Sequence, residues 1–309
     1  MRRTAGSHDT PIIDEKGQNM KETIGFIGLG ALGSVVAGRL AGAGYPLLIW
    51  NRTSEKAEFL GEFASSPAEV VTRSQTVVLC LRDSEAVWAV TSGSSGIFAG
   101  EVAGRTIVDL STNHVELATV LHGLAAKARG SYLEAPVLGS VIPAAAGELT
   151  VLVSGDQEAY AAARPLLETI GNRHFYLGAP GQATKMKLAC NLVLATTLAG
   201  LADATAIAEA CGIPREQALD ILAAGPGSGV VLASKRNKVL LGDYSPHFSA
   251  ALLYKDLHYL QDLARTLRRP LFTAAVKELF ALSFAHGLEE QDISVIFPIL
   301  RAGGAPPKP

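Results

Sequence analysis

Aromatic residues make up only 6% of this 309-residue chain and charged residues only 18%, and neither sign of charge dominates, since 27 Lys and Arg stand against 29 Asp and Glu for a net charge of −2. That balance gives no reason to expect nucleic acid or an anionic membrane as partner. Cysteine is scarce as well. Cys80, Cys190 and Cys211 sit in apolar surroundings without paired spacing, which argues for reduced core thiols rather than disulfides or metal ligands. The seven histidines show no ligand spacing either, so no structural metal is expected. The longest apolar stretch, Leu188 to Ala202, contains Asn191, Thr196, Thr197 and Gly200 and reads as a buried helix rather than a membrane span. Residues 1–20 hold no apolar core of signal-peptide length, and Met20 offers an alternative start. Residues 1–21 are therefore expected to be a disordered extension, and the location cytoplasmic.

What is present is a 48% hydrophobic composition, enough to bury a large core in a chain long enough for two domains. Strand patterns at 23–28, 46–50, 76–81, 106–109, 131–135, 149–153 and 173–177 alternate with helical ones at 31–43, 84–91, 114–129 and 157–169. This alternation predicts an α/β domain over 22–179, a doubly wound, largely parallel sheet of Rossmann type with helices on both faces. Beyond the breaker cluster Gly178-Ala-Pro-Gly181 the pattern turns helical: 181–211, 215–224, 230–241, 250–268, 272–286 and 290–300. An all-helical second domain is expected over 180–303. Gly225-Pro-Gly-Ser-Gly229 reads as a loop inside it, and residues 304–309 as a mobile tail. A cleft between the two domains is the expected site.

The most informative segment is Ile24-Gly-Phe-Ile-Gly28-Leu29-Gly30-Ala31-Leu32-Gly33, a strand running into a glycine turn and then a helix. Gly28 permits the tight turn, Gly30 lets backbone approach a pyrophosphate, and Gly33 lets helix and strand pack closely. The pyrophosphate would sit on unpaired N–H groups at the helix N-terminus. An acidic residue closing the next strand would bind a ribose 2′-hydroxyl and repel a 2′-phosphate. The chain has Asn51, Arg52 and Thr53 there, with Ser54 and Lys56 behind, which points to NADP(H) over NAD(H). The alternative for this cluster is a solvated loop. Leu81, closing the strand at 76–81, is a further candidate cofactor contact.

Four other segments carry chemistry. Asp109-Leu-Ser111-Thr112 closes a strand and sets hydroxyls at the carboxyl edge of the sheet, where open α/β folds bind ligands. Glu134-Ala-Pro136-Val-Leu138-Gly139-Ser140 ends the next strand in a Gly-Ser turn able to offer N–H groups to an anion. Lys187 and Asn191, four apart, share one face of a helix with no further charge until Asp203. Desolvation there lowers a lysine pKa toward the range useful for proton transfer, whereas a lysine that merely snorkels to water is the structural alternative. Phe248 and Lys255-Asp256-Leu257 open a later helix, where a solvated pair is the bland reading.

These motifs together resemble the β-hydroxyacid dehydrogenases, the family of 3-hydroxyisobutyrate dehydrogenase and the glyoxylate/succinic semialdehyde reductases, over about residues 23–300. The resemblance implies cofactor contacts at 28–33, Asn51, Arg52, Thr53, Leu81, Thr112, Phe248 and Lys255. It implies substrate contacts at Thr112, Leu138, Gly139, Ser140 and Asp256, and a catalytic Lys187 with Asn191. It further implies a small carbonyl substrate reduced by NADPH, Lys187 acting as general acid or base, and a homodimer. Two departures stand out. Leu138 replaces the family's serine, removing a donor worth about 1.5–3 kcal/mol to a carboxylate and suggesting a bulkier or less charged substrate. Gly181-Gln-Ala183 replaces the usual Gly-x-Gly. An imine reductase shares the architecture but generally lacks the lysine. A non-catalytic NADP-binding protein would need the turn and Arg52 but not Lys187, Asn191 or Asp256.

Overall fold

Short apolar runs with polar breaks set the first half of the molecule. In the computed structural model, which describes residues 21–53, 60–225, 229–271 and 273–303, the runs form β1 (Ile24–Ile27), β2 (Leu47–Trp50), β3 (Glu62–Phe63), β4 (Thr76–Leu79), β5 (Thr106–Asp109) and β6 (Ser131–Glu134). These make one sheet in the order β3-β2-β1-β4-β5-β6, parallel throughout. β1 and β4 are buried along their whole length, because a parallel sheet covered on both sides needs apolar residues facing either way. Phe26 joins the core beneath α1 (Ala31–Gly42) and α6 (Gln157–Ile170). Its neighbour Ile27 joins the opposite core, beneath α2 (Pro67–Arg73), α3 (Ser84–Thr91) and α4 (Val115–Lys127). Strand order reverses at β1 and β4, which opens a crevice at their carboxyl ends.

The expected single sheet is corrected in one respect. The strands at 149–153 and 171–176 leave it and form a second, three-stranded sheet, β7 (Val137–Leu138), β8 (Leu149–Val153) and β9 (Gly171–Tyr176), in which β7 and β8 are antiparallel. Pro136, which has no N–H to donate, follows β6 and ends its ladder, and the chain folds back through the short helix α5 (Val141–Ala146). The two sheets touch through the antiparallel bridge Glu134↔Ser154. β3 and β7, two residues each, are too short for a periodic signal, as are α2 and α5.

The second half is helical: α7 (Gln182–Ala210), α8 (Arg215–Ala224), α9 (Val230–Leu241), α10 (Ala250–Thr266), α11 (Ala275–Ala285) and α12 (Ile296–Arg301), the last preceded by a 3-10 turn at Ile293–Val295. By length and composition alone α7 could cross a membrane. Here Ala195, Leu198 and Ala202 form the core of this half with Leu253 and Leu257 of α10 and Ile299 of α12. The N-terminus of α7 is capped from the sheet half. Glu134 accepts the N–H groups of Gly181 and Thr184 and the Thr184 hydroxyl, and Ser154 Oγ accepts Ala183 N–H at 2.8 Å. The arm 1–20, Ser54, Lys56, residues 226–228 of the second breaker cluster and the tail 304–309 lie outside the described residues.

Candidate active site

The glycine turn sits where sequence spacing puts it. Gly28 has φ +104°, and a Cβ there would strike the Cys80 carbonyl; a Cβ on Gly33 would strike the carbonyl of Gly28. Gly30 instead faces open space and caps α1 with no side chain, leaving the first-turn amides of that helix directed at the crevice. A dinucleotide pyrophosphate fits this arrangement: it has room beside Gly30 and finds the positive end of α1. Asn51 holds the turn from below, its Oδ1 accepting Leu29 N–H at 2.9 Å and its Nδ2 donating to the Thr53 carbonyl at 2.7 Å. Arg52 and Thr53 are exposed beside it.

Between the halves lies a cleft of about 340 Å³. One wall carries Gly30 to Gly33, Leu81, Ser111, Thr112, Gly139 and Ser140; the other carries Lys187, Phe248, Lys255 and Asp256. Chain segments far apart in sequence are thus brought together. Lys187 is 8% exposed, its Nζ donating to Asn191 Oδ1 at 3.2 Å and lying 6.0 Å from the centre of the Phe248 ring. Asn191 Nδ2 donates to Asp256 Oδ2 at 2.5 Å, while Asp256 Oδ1 lies 2.9 Å from Lys255 Nζ in an ion pair. Lys255 Nζ also donates to the Thr112 carbonyl at 2.9 Å, closing the series against the sheet half. Burial lowers the Lys187 pKa, and Asp256 pulls it partly back.

Asp109 shapes the loop from below, accepting Ser111 N–H, Asn113 Nδ2 and the Tyr132 hydroxyl, and burial raises its pKa despite those bonds. Ser111 Oγ in turn accepts Leu81 N–H at 2.9 Å, coupling two of the candidate segments. Leu138 lies half-buried in β7 opposite Thr150, and its neighbours Val137, Gly139 and Ser140 border the cleft. Glu134 stands away from the cleft lining altogether, at the α7 cap.

Four ionisable residues of the cleft carry no motif in the sequence. Cys80 lines the floor, its thiol pushed up to about 12 by burial and then by Asp109. His247 flanks Phe248. At the mouth Arg82 Nη2 meets Glu290 Oε1 at 2.6 Å, joining the two halves. Arg82 follows β4 at the switch point and so had a positional signal; Glu290, 208 residues away, had none.

Residues 23–178 match the family described as the NAD binding domain of 6-phosphogluconate dehydrogenase. Residues 181–300 match that described as the NAD-binding domain of NADP-dependent 3-hydroxyisobutyrate dehydrogenase. The cytokine-like nuclear factor N-PAC of Gallus gallus is 32% identical over 89% of this chain, which spans about half (50%) of that protein's length. Glyoxylate/succinic semialdehyde reductase 2 of Arabidopsis thaliana is 30% identical over 91% of this chain and 80% of its own. The structure of Mycobacterium tuberculosis 3-hydroxyisobutyrate dehydrogenase with L-serine superposes with a TM-score of 0.81, at 27% identity, over 91% of this chain and all (100%) of its own. A cofactor turn, a cleft and a helical half matched together make the chain a member of the β-hydroxyacid dehydrogenase family, of the 3-hydroxyisobutyrate dehydrogenase type.

Proposed function

We propose that this chain is an NADPH-dependent reductase of small aldehydes or keto compounds, working reversibly, with Lys187 as the proton donor. The observation that carries this reading is a buried lysine, anchored by Asn191, opening on the same cleft as the uncapped end of α1. The turn from Gly28 to Gly33 and Arg52 would hold the dinucleotide, and its nicotinamide would supply the hydride. Lys187 then holds a proton at Nζ for the developing alkoxide, and the Asn191–Asp256 bond fixes the side chain that fixes Lys187. Lys255 ties α10 to the Thr112 loop and keeps the two cleft walls at working distance. Gly139 and Ser140 offer polar contacts to the remote end of the substrate. Arg52, exposed beside the turn, supports NADPH, because a guanidinium pairs with a 2′-phosphate in a way a ribose hydroxyl cannot match. An imine substrate is disfavoured by the lysine, and a purely regulatory NADP-binding role has no use for the Lys187–Asn191–Asp256 series.

Initial rates of cofactor oxidation on succinic semialdehyde and on a neutral aldehyde of similar length test the reading. NADPH should be favoured over NADH in kcat/KM by roughly tenfold or more, the worth of one charged hydrogen bond. Absence of turnover on either aldehyde, or equal use of NADH, overturns it. The ratio of the two aldehydes reads whether Gly139 and Ser140 hold a carboxylate with Leu138 in place of a hydroxyl donor.

A homodimer is part of the same proposal. Met186, Val193, Gly200 and Ile207 recur every seven residues along α7 and are all exposed, Val193 and Ile207 each to 66%. An apolar stripe of that length on a surface helix favours burial against a second copy. Light scattering should give twice the chain mass of 32.3 kDa; a monomer at micromolar concentration sinks the idea.

A further inference from the structure

A second cavity, of about 460 Å³, lies within the helical half, away from the cleft, against the C-terminal part of α7. Its apolar side is formed by Leu288, Val295 and Phe297. Its polar side gathers two guanidiniums around one carboxylate. Arg215 places both Nε and Nη2 on Glu209 Oε1, at 3.1 and 3.0 Å, while Arg301 Nε stands 3.6 Å from Oε2, beyond hydrogen-bonding distance. The cluster therefore carries one positive charge in excess. Among the described residues the terminal nitrogens of Arg301, the Tyr244 hydroxyl and the Gln291 side-chain amide make no hydrogen bond, although all three residues border the cavity. A structural ion pair is normally packed around by its neighbours. This one faces unfilled space of the size and polarity of a small-molecule site, with an apolar wall and a few converging donors.

We propose that this cavity binds a small organic anion, its carboxylate or phosphate head on Arg301 and the free edge of Arg215, and a compact apolar body against Leu288, Val295 and Phe297. Glu209 is then an internal competitor that holds the arginines in place when no ligand is bound. The site shares a wall with the cleft. The Tyr244 carbonyl accepts Asp292 N–H at 2.9 Å, and the Asp292 carboxylate accepts the N–H groups of His247 and Phe248 at 3.1 and 3.3 Å. The same segment thus carries Tyr244 toward one cavity and Phe248 toward the other.

Calorimetric titration of the full chain with phenyl phosphate and with inorganic phosphate tests the proposal. Phenyl phosphate should bind, and bind several-fold more tightly than inorganic phosphate, because only it uses the apolar wall. Arg301→Ala should weaken it at least tenfold, and Glu209→Gln should tighten it, since the competing charge is gone. No binding to the wild type overturns the proposal, as does equal binding to Arg301→Ala, which would place the ligand elsewhere, or equal affinity for inorganic phosphate. Arg301 has a side chain 58% exposed, so its removal leaves the fold intact and decides the matter even if Glu209→Gln proves unstable.

Discussion

Lys187→Ala should lower turnover by about two to four orders of magnitude, the usual worth of a positioned general acid, and leave cofactor affinity nearly unchanged. The reason for the split lies in where the side chain sits. Lys187 is on the helical wall beside Phe248, while the dinucleotide cradle is formed by β1, α1 and the loops after β4 and β5 on the other wall. Removing the ammonium takes away a proton donor without touching the turn. Lys187→Arg separates charge from proton transfer, because a guanidinium stays protonated at any working pH and cannot deliver its proton. Its rate should therefore stay close to that of the alanine variant. The pH profile carries the sign. Burial lowers the Lys187 pKa, Asp256 raises it and Lys255 lowers it further, so the ammonium gives up its proton below the ordinary lysine value of about 10.4. Carbonyl reduction needs the protonated form and should fall as pH rises through that lowered value, while alcohol oxidation should rise through the same value. A Lys187→Ala enzyme with wild-type kcat, or a wild-type profile flat across the alkaline range, removes lysine from the mechanism. A protein that only senses NADPH would have no turnover to lose.

Legibility in the sequence follows the distance over which each feature is built. The cofactor turn and its helix are closed within ten residues, Ile24 to Gly33, so residue type and spacing suffice. Lys187 and Asn191 are readable for the same reason: an i, i+4 pair needs only a helix to place both on one face. Asp256 comes from another helix and could be proposed only through resemblance. Its neighbour Lys255 spends its ammonium on a backbone carbonyl, that of Thr112, and a backbone acceptor leaves no trace in residue identity. Asn51 is informative in sequence for the charge it lacks, yet its amide serves as a bracket between Leu29 and Thr53. Leu138 reads as a pocket residue; it lies in a two-residue strand too short for a periodic signal, between the cleft residues Val137 and Gly139. The division of the sheet follows from Pro136, whose breaking effect is local but whose consequence, a second sheet with an antiparallel pair, is set by contacts with residues 149–176.

Glu134 shows the same contrast at the largest energetic scale, because a carboxylate that reads as part of a substrate turn instead fastens the two halves together. It is 1% exposed and accepts from the Gly181 and Thr184 amides, the Thr184 hydroxyl and His122 Nε2, the last at 2.9 Å. Burial pushes its pKa up, but the bonds from His122, Thr184 and Gly181 outweigh burial and leave it below the usual carboxylate range. Glu134→Gln keeps the volume and sets an NH2 group against donors. Breaking a buried charged cluster by altering one partner costs about 3–5 kcal/mol. For a domain of this size that is a fall in melting temperature of roughly 10 °C. The pH dependence follows from the lowered pKa. The ionised carboxylate stabilises the fold fully above its unfolded value of about 4.3, and the contribution disappears as pH falls through the lower folded value. Wild-type stability should therefore drop steeply on acidification in that window, and the drop should be shallower in Glu134→Gln, which has no carboxylate left to protonate. Since α7 starts at this cap and Lys187 lies within its first two turns, the variant should also lose kcat more than cofactor affinity at temperatures where it remains folded. Thermal unfolding at pH 7 and pH 4 tests the assignment directly: a variant that melts within two degrees of wild type at both values would mean that the α7 cap does not depend on the Glu134 charge.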